Sequence, residues 1–477
     1  MSGARAHESA DELPRGRRYL VLAICCMSLL IVSLDITALN VALPSLGREL
    51  EADVSGLQWT VDAYTLVLAS FLMLSGSMAD RLGRRRVFSV GLVVFTSGSL
   101  LCALAPGLGW LVVFRMLQAL GGSMLNPVAM SIIRNTFHDP KELARAIGMW
   151  GGVVGISMAA GPIVGGALVQ WFDWRAVFWI NIPVGLTALV LTRRFVPESR
   201  ARRARRIDPV GQALVILLLG SLTFGIIEGG RGEWTSPWII GCFVVAVLSV
   251  PALVSYESRR ADPLIDPEFF RSAPFSGASA IAVSAFAALS GFLFLNTLYL
   301  QNGRGLSALE AGTYLLPMAG VTLVLAPVSG WLINRYGARL PLFLAGLALT
   351  ASGLMFALWQ AESDNARLFT AYVLFGVGFG LVNAPITNTA VTGMPRAQAG
   401  VAAGIASTSR QVGSALGVAM VGTALAAGSQ HAGWWIITVC ALLVLGIGLL
   451  TSGAWAMRSA ERTAERLAAS GQRPGAH

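Results

Sequence analysis

Few ionisable residues fall inside the long apolar runs of this chain, and four of them could do chemistry: Asp35, Asp62, Arg115 and Arg410. Charge within a segment long enough to cross a bilayer is costly, so each is a functional candidate. An arginine keeps its proton. A carboxyl in a low-dielectric cavity is pushed toward its neutral form by desolvation and toward its ionised form by a nearby guanidinium, so it can gain and lose a proton. That is the chemistry a proton-coupled carrier needs. Counting inward from the nearest basic loop at about 1.5 Å per residue, Asp35 lies roughly 25 Å from Arg18, Asp62 roughly 28 Å from Arg81, and Arg115 roughly 28 Å from Arg134. Two acids and a base are therefore expected at similar depth in one cavity. Asp35 is the favoured proton carrier, because Thr37 and Asn40 beside it offer hydrogen bonds and Pro44 is expected to end its helix; the alternative is a structural pair with Arg115. Asp62, nearer the outer surface, reads either as a coupling or cation-attracting group or as a solvated carboxylate. Arg410, beside Gln411 and roughly 21 Å past Arg396, has no acid at its depth. It is expected to face the cavity and be neutralised by Asp35 or by an anionic group of a substrate. Glu228, Glu233 and Glu310 read as solvated residues at outer span ends.

The elements that must position these groups are membrane spans. The chain has 477 residues, 55% hydrophobic and 13% charged, with a mean hydropathy of +0.66, which a water-soluble globule cannot accommodate. At about 20 apolar residues per crossing, fourteen helices are expected, at 19–43, 56–79, 87–106, 109–133, 143–170, 175–195, 209–229, 236–256, 275–300, 308–333, 340–360, 366–392, 397–427 and 432–457. The net charge of +10 does not indicate nucleic acid, because the basic residues sit between apolar segments rather than on one folded face. The alternating segments that include the Asp80 loop hold 28 of the 35 basic residues, counting those at span mouths, against five on the other side. Arginine accumulates on the cytoplasmic side, so both termini are expected in the cytoplasm. The five cysteines lie in apolar runs without metal spacing and read as buried apolar side chains. The first apolar run, though preceded by arginines, is too long for a signal peptide and reads as the first span.

The chain also repeats itself. Gly76, Arg81 and Gly83 recur as Gly330, Arg335 and Gly337; Gly121 and Asn126 recur as Gly378 and Asn383; Gly148, Gly161 and Gly166 recur as Gly404, Gly417 and Gly422. This nearly constant offset implies two six-helix halves of like orientation, 19–195 and 275–457, with a binding site between them near mid-bilayer. The Arg-rich segment 196–208 and two linker helices within 209–256 would join them, with tails at 1–18 and 458–477. The run of glycines from Gly148 to Gly166, broken by Pro162, reads first as close helix packing and second as a place where the helix bends. Gly376, Gly378 and Gly380 lie inside a span and are not a nucleotide fingerprint.

Four stretches resemble the drug:proton antiporters with fourteen spans in the major facilitator superfamily. They are Asp35 to Pro44 in the first span, Gly76 to Arg85 in the loop after the second, Arg115 to Gly122 in the fourth, and Gly161 to Gly166 in the fifth. Ala119 and Ser157 stand where such motifs often have glycine. The resemblance implies an all-α major facilitator fold and proton coupling at Asp35 and Arg115, with Asp62 as a second acid. It further implies an inner gate at Gly76, Asp80, Arg81, Gly83, Arg84 and Arg85, and an antiporter helix at Gly161, Pro162, Gly165 and Gly166. Asn40, Gln118, Asn126, Asn296, Asn383, Arg410 and Gln411 are expected to line the substrate cavity. No cofactor or metal is expected; the partners are a small-molecule substrate, protons and membrane lipid. The implied protein exports hydrophobic or amphipathic molecules across a bacterial cytoplasmic membrane. An importer or facilitator of one metabolite is the alternative, against which the Gly-Pro run argues. A membrane-embedded enzyme or receptor is less favoured, since no nucleophile with a base and no His-Glu-x-x-His is present.

Overall fold

Backbone groups inside hydrocarbon must be satisfied within their own segment, which restricts apolar runs of this length to helices. The computed structural model of the protein describes residues 13–201, 208–260, 263–358, 364–392, 394 and 398–471. Most of the N-terminal tail, the arginines at 202, 203, 205 and 206, and Arg396 and Arg473 lie outside the described residues.

The helices are α1 (Arg15–Glu49), α2 (Val54–Leu82), α3 (Arg84–Ala103), α4 (Leu108–Ser123), α5 (Asn126–Thr136), α6 (Pro140–Trp171), α7 (Ala176–Trp179), α8 (Asn181–Phe195), α9 (Pro209–Glu228), α10 (Pro237–Glu257), α11 (Ala273–Leu298), α12 (Ala308–Tyr314), α13 (Leu316–Tyr336), α14 (Arg339–Ala357), α15 (Asn365–Val391), α16 (Ala399–Ala426), α17 (Gln430–Thr451) and α18 (Ala454–Gly471). Three expected spans are broken in two, between α4 and α5, α7 and α8, and α12 and α13. Each break falls just ahead of a proline, Pro127, Pro183 or Pro317, whose missing N–H is tolerated only in a first turn. Among the described residues, thirteen helices or helix pairs have the length and apolarity to cross a membrane. The remaining span, α16, has 28 residues and carries Thr408, Ser409, Arg410 and Gln411. Pro44 does not end the first helix: α1 continues to Glu49. Leu43 and Leu46, both fully buried, hold this last stretch against its neighbours.

Glycine decides how closely the helices approach. A Cβ on Gly161 would stand 1.8 Å from Thr37 Oγ1 and one on Gly165 2.7 Å from Ala38 Cα, so α6 lies directly against α1. The repeat counterpart of Gly161 behaves alike: a Cβ on Gly417 would stand 2.2 Å from the Ala287 carbonyl, setting α16 against α11. By contrast, Gly148, Gly151 and Gly152 have open space beside them. The packing expectation therefore holds for the second part of the α6 glycine run and not for the first.

The halves touch at the end remote from the arginine-rich loops. Gly166 passes Ala308 and Leu309, where a Cβ would meet backbone at 2.6 Å, and Gly312 passes the Pro162 carbonyl, where it would meet it at 2.2 Å. Gln58 of α2 donates to α16 and Gln301 donates to the Val41 carbonyl of α1. Helix α9 lies over the seam of α2 and α16, with Val215 and Leu219 packed among Leu66, Ala69 and Ala415.

Candidate functional site

Asp35 and Arg115 come together as their common depth predicts, Gln118 joins them, and Asp62, expected in the same cavity, makes no hydrogen bond to either. Arg115 NH1 donates to Asp35 Oδ2 at 2.5 Å and to Gln118 Oε1 at 2.6 Å. Gln118 Nε2 and Asn181 Nδ2 both donate to Asp35 Oδ1 at 2.8 Å. Ser99 Oγ accepts from the same two amides. Asp35 is 0% and Arg115 1% exposed. Close helix packing makes this possible: a Cβ on Gly98 would stand 2.6 Å from Gln118 Cα, so α3 presses on α4 at that turn. Arg115 is further held over the Tyr64 ring at 4.1 Å and donates through Nε to the Thr60 carbonyl at 3.3 Å. A buried ion pair persists only when its remaining donors and acceptors are satisfied in this way.

Two residues expected to serve Asp35 do not touch it. Thr37 Oγ1 has the carbonyls of Ser33, Leu34 and Ser157 within reach of its one proton, and Asn40 Nδ2 donates to that of Ile36. Both sit in helix, where the nearest acceptors are the carbonyls one turn back. Conversely, Asn181, Ser99 and Tyr64 were not singled out in the sequence. Asn181, a lone amide ahead of Pro183 in an apolar span, was the available signal.

Asp62 departs most from its solvated reading. It is 0% exposed, and its carboxyl oxygens make no hydrogen bond of regular geometry, the Thr65 hydroxyl beside them donating to the Val61 carbonyl at 2.9 Å. One turn to either side of Asp62, Gln58 bonds to α16 and Leu66 packs with Val215, Leu219 and Ala415 of α9 and α16, which the distance from a loop does not report.

The remaining polar candidates form separate groups. Arg410 NH2 donates to Thr387 Oγ1 at 2.6 Å and reaches the Asn383 carbonyl at 3.5 Å; its guanidinium lies 5.8 Å from the Phe286 ring. It is not neutralised by Asp35, which is committed to Arg115, and its Nε is buried without a partner. Gln411 is its half-buried neighbour. Asn126 is half-buried with an unpartnered Oδ1, while Asn296 is buried and accepts from the Tyr372 hydroxyl at 2.7 Å. Of the acids at the ends remote from the arginine-rich loops, Glu228 is drawn into a cluster with Trp59 and Arg231, and Glu310 caps α12 with Ser307. The Glu233 side chain lies outside the described residues.

In the loop after α2, Gly83 has φ +111°, which only glycine adopts without strain. Asp80 pairs with Arg84 at 3.0 Å, Arg81 is exposed, and Gly76 has open space beside it. Glu198, unnoticed among its arginines, accepts from the Arg85 backbone N–H at 3.1 Å and lies near the Arg85 and Arg86 guanidiniums. The Arg84 N–H donates to Ser199 O and the Ala201 N–H to Asp80 O. The segment 196–201 thus clasps this loop.

Comparison with known proteins gives three concordant results. Residues 25–418 match the family described as the Major Facilitator Superfamily. The chain is 37% identical to multidrug resistance protein Stp of Mycobacterium tuberculosis, over 86% of this chain and 76% of that one. It is 38% identical to the tetracenomycin C resistance and export protein of Streptomyces glaucescens, over 88% and 78%. A crystal structure of a POT family transporter in complex with 5-aminolevulinic acid shares the fold, with a TM-score of 0.70 at 15% identity, covering 92% of this chain and 96% of that one.

Proposed function

Because the chain belongs to the Major Facilitator Superfamily, we propose that its buried carboxyls couple the export of hydrophobic or amphipathic small molecules to proton entry. The curated relatives named for multidrug resistance and for tetracenomycin C export support the substrate class. The charge asymmetry supports a bacterial cytoplasmic membrane with both termini inside. The contacts of Gly166, Gly312, Gln58 and Gln301 between the halves then lie at the outer end.

The observation that carries the reading is the contrast between Asp35 and Asp62. Asp35 accepts three donated hydrogen bonds, one from a guanidinium. Asp62 is buried with no cation on its oxygens, and the Thr65 hydroxyl beside its carboxyl donates to the Val61 carbonyl. On this geometry we assign the exchanged proton to Asp62. In the cycle, Asp62 takes a proton from outside, the outer end closes around it, and its release inward accompanies substrate binding. Asp35 and Arg115 tie α1 to α4 and, through Thr60, to the helix bearing Asp62. Arg410, Asn383 and Asn126 offer polar contacts to substrate on the cytoplasmic side. Residues 19–195 and 275–457 are the bodies that rock, with the Asp80 loop as the inner gate.

Inverted membrane vesicles holding an imposed proton gradient and a pH-sensitive dye test the proposal. Lipophilic cations or neutral antibiotics added outside should dissipate the gradient for the wild type and not for Asp62→Asn. Uptake that leaves the gradient intact would refute antiport.

A further inference from the structure

We infer that Gln58 is the positioning residue that seals Asp62 from the outer solution while the outer ends of the two halves are joined. The inference rests on the reading of Asp62 as the proton carrier. Gln58 precedes Asp62 by four residues on α2, one helical turn, so the two share a face with Gln58 on the outer side. Its side chain is 0% exposed. Its amide nitrogen donates to the carbonyls of Val418 at 3.3 Å and Ala419 at 2.8 Å, both on α16 in the other half. A helix carbonyl already bonded within its helix has a second lone pair, which allows this crossing contact.

Two further observations point the same way. A Cβ on Gly422 would stand 2.4 Å from the Gln58 side-chain amide, so the absence of a side chain there makes the berth for Gln58. On the outer side, a cavity of about 610 Å³ is lined by Gly47, Asp53, Leu57, Leu425 and Gln430. Leu57, the residue before Gln58, lines that cavity, and Asp62 lies one turn further along α2 from the outer end. Both bonds of Gln58 cross between the halves, so they cannot survive the rocking that opens the outer side. Their rupture removes the cover one turn above Asp62, which links outer opening to proton access without direct contact between Gln58 and the proton.

Hydrogen–deuterium exchange of the full-length protein in nanodiscs tests this. Gln58→Met keeps the length of the side chain and removes the donor. It should speed exchange by roughly tenfold in peptides from 54–62 and 415–426, the effect of losing about two net hydrogen bonds on the gate equilibrium. Peptides from α3 should not change, which shows that the fold is intact. Gly422→Ala, which displaces the amide, should give the same pattern. In Gln58→Glu the side chain donates only when protonated, so its excess over wild type should appear as pH rises and vanish as pH falls. Wild-type exchange in both Gln58→Met and Gly422→Ala, or a pH-independent Gln58→Glu, would overturn the inference. Faster exchange at 54–62 together with undiminished substrate-driven proton release by Asp62→Asn would leave Gln58 as an outer latch and overturn the assignment of the proton to Asp62.

Discussion

Asp35→Asn and Asp62→Asn are the same chemical change at two buried sites, and the structure assigns them very different costs. At Asp35 all three partners are donors: Arg115 NH1, Gln118 Nε2 and Asn181 Nδ2. A carboxamide must turn its own N–H₂ toward one of them, and it leaves the Arg115 guanidinium, 1% exposed, without a counter-charge. Removing one partner of a buried pair costs about 3–5 kcal/mol. With the proton that the proposed cycle places on Asp62, Asp62→Asn exchanges a neutral acid for a neutral amide of the same shape, which should cost less than about 1 kcal/mol. Unfolding of the purified proteins in mixed micelles, followed by tryptophan fluorescence, reads the difference directly. Adding Arg115→Gln to Asp35→Asn should recover part of the loss, because the double variant no longer buries an unpaired charge. Equal destabilisation by the two single variants would refute the reasoning, since it would mean that Asp62 is also ionised in the folded protein.

Other expectations follow from particular contacts. Gly312→Ala places a methyl 2.2 Å from the Pro162 carbonyl, so it should disfavour the outer-closed state and lower transport, as measured by substrate efflux from cells at equal expression. Glu198→Gln keeps the hydrogen bond to the Arg85 N–H but removes the charge facing Arg85 and Arg86; at this half-exposed site the loss of stability should stay within about 1 kcal/mol, and transport rate is the sensitive readout. Arg410→Gln removes a cation that Thr387 and Asn383 position without neutralising. Anionic or carbonyl-rich substrates should bind several-fold more weakly to it, with cationic ones unaffected, in a tryptophan-quenching titration.

The sequence revealed the site to differing degrees. The meeting of Asp35 with Arg115 was legible because rise per residue in a helix is fixed, so loop positions translate into depth. The repeat was equally legible, and its glycines do matching work: Gly161 and Gly417 each press a helix against its own half, while Gly166 and Gly422 each face the other half. Asn181 and Ser99 were missed because an uncharged polar residue in an apolar span carries little signal until a partner is known. The burial of Asp62 is a property of how the helices lie together rather than of α2 alone: Gln58 and Leu66, one turn to either side, both pack on α16 or α9. Glu198 was hidden for a related reason. Summed charge made its segment a block of arginines, whereas its contacts lie at the start of α3, more than a hundred residues earlier. Pro44 was misread because local propensity was weighed without the buried leucines that carry α1 past it.

Substrate-driven proton release from the purified protein, recorded with a pH dye in weak buffer, tests most directly whether Asp62 carries the exchanged proton. Adding a lipophilic cation or a neutral antibiotic that binds should release protons from the wild type and none from Asp62→Asn, with binding itself retained. Release of the same size from Asp62→Asn would contradict the account and return the proton to Asp35 or to another group.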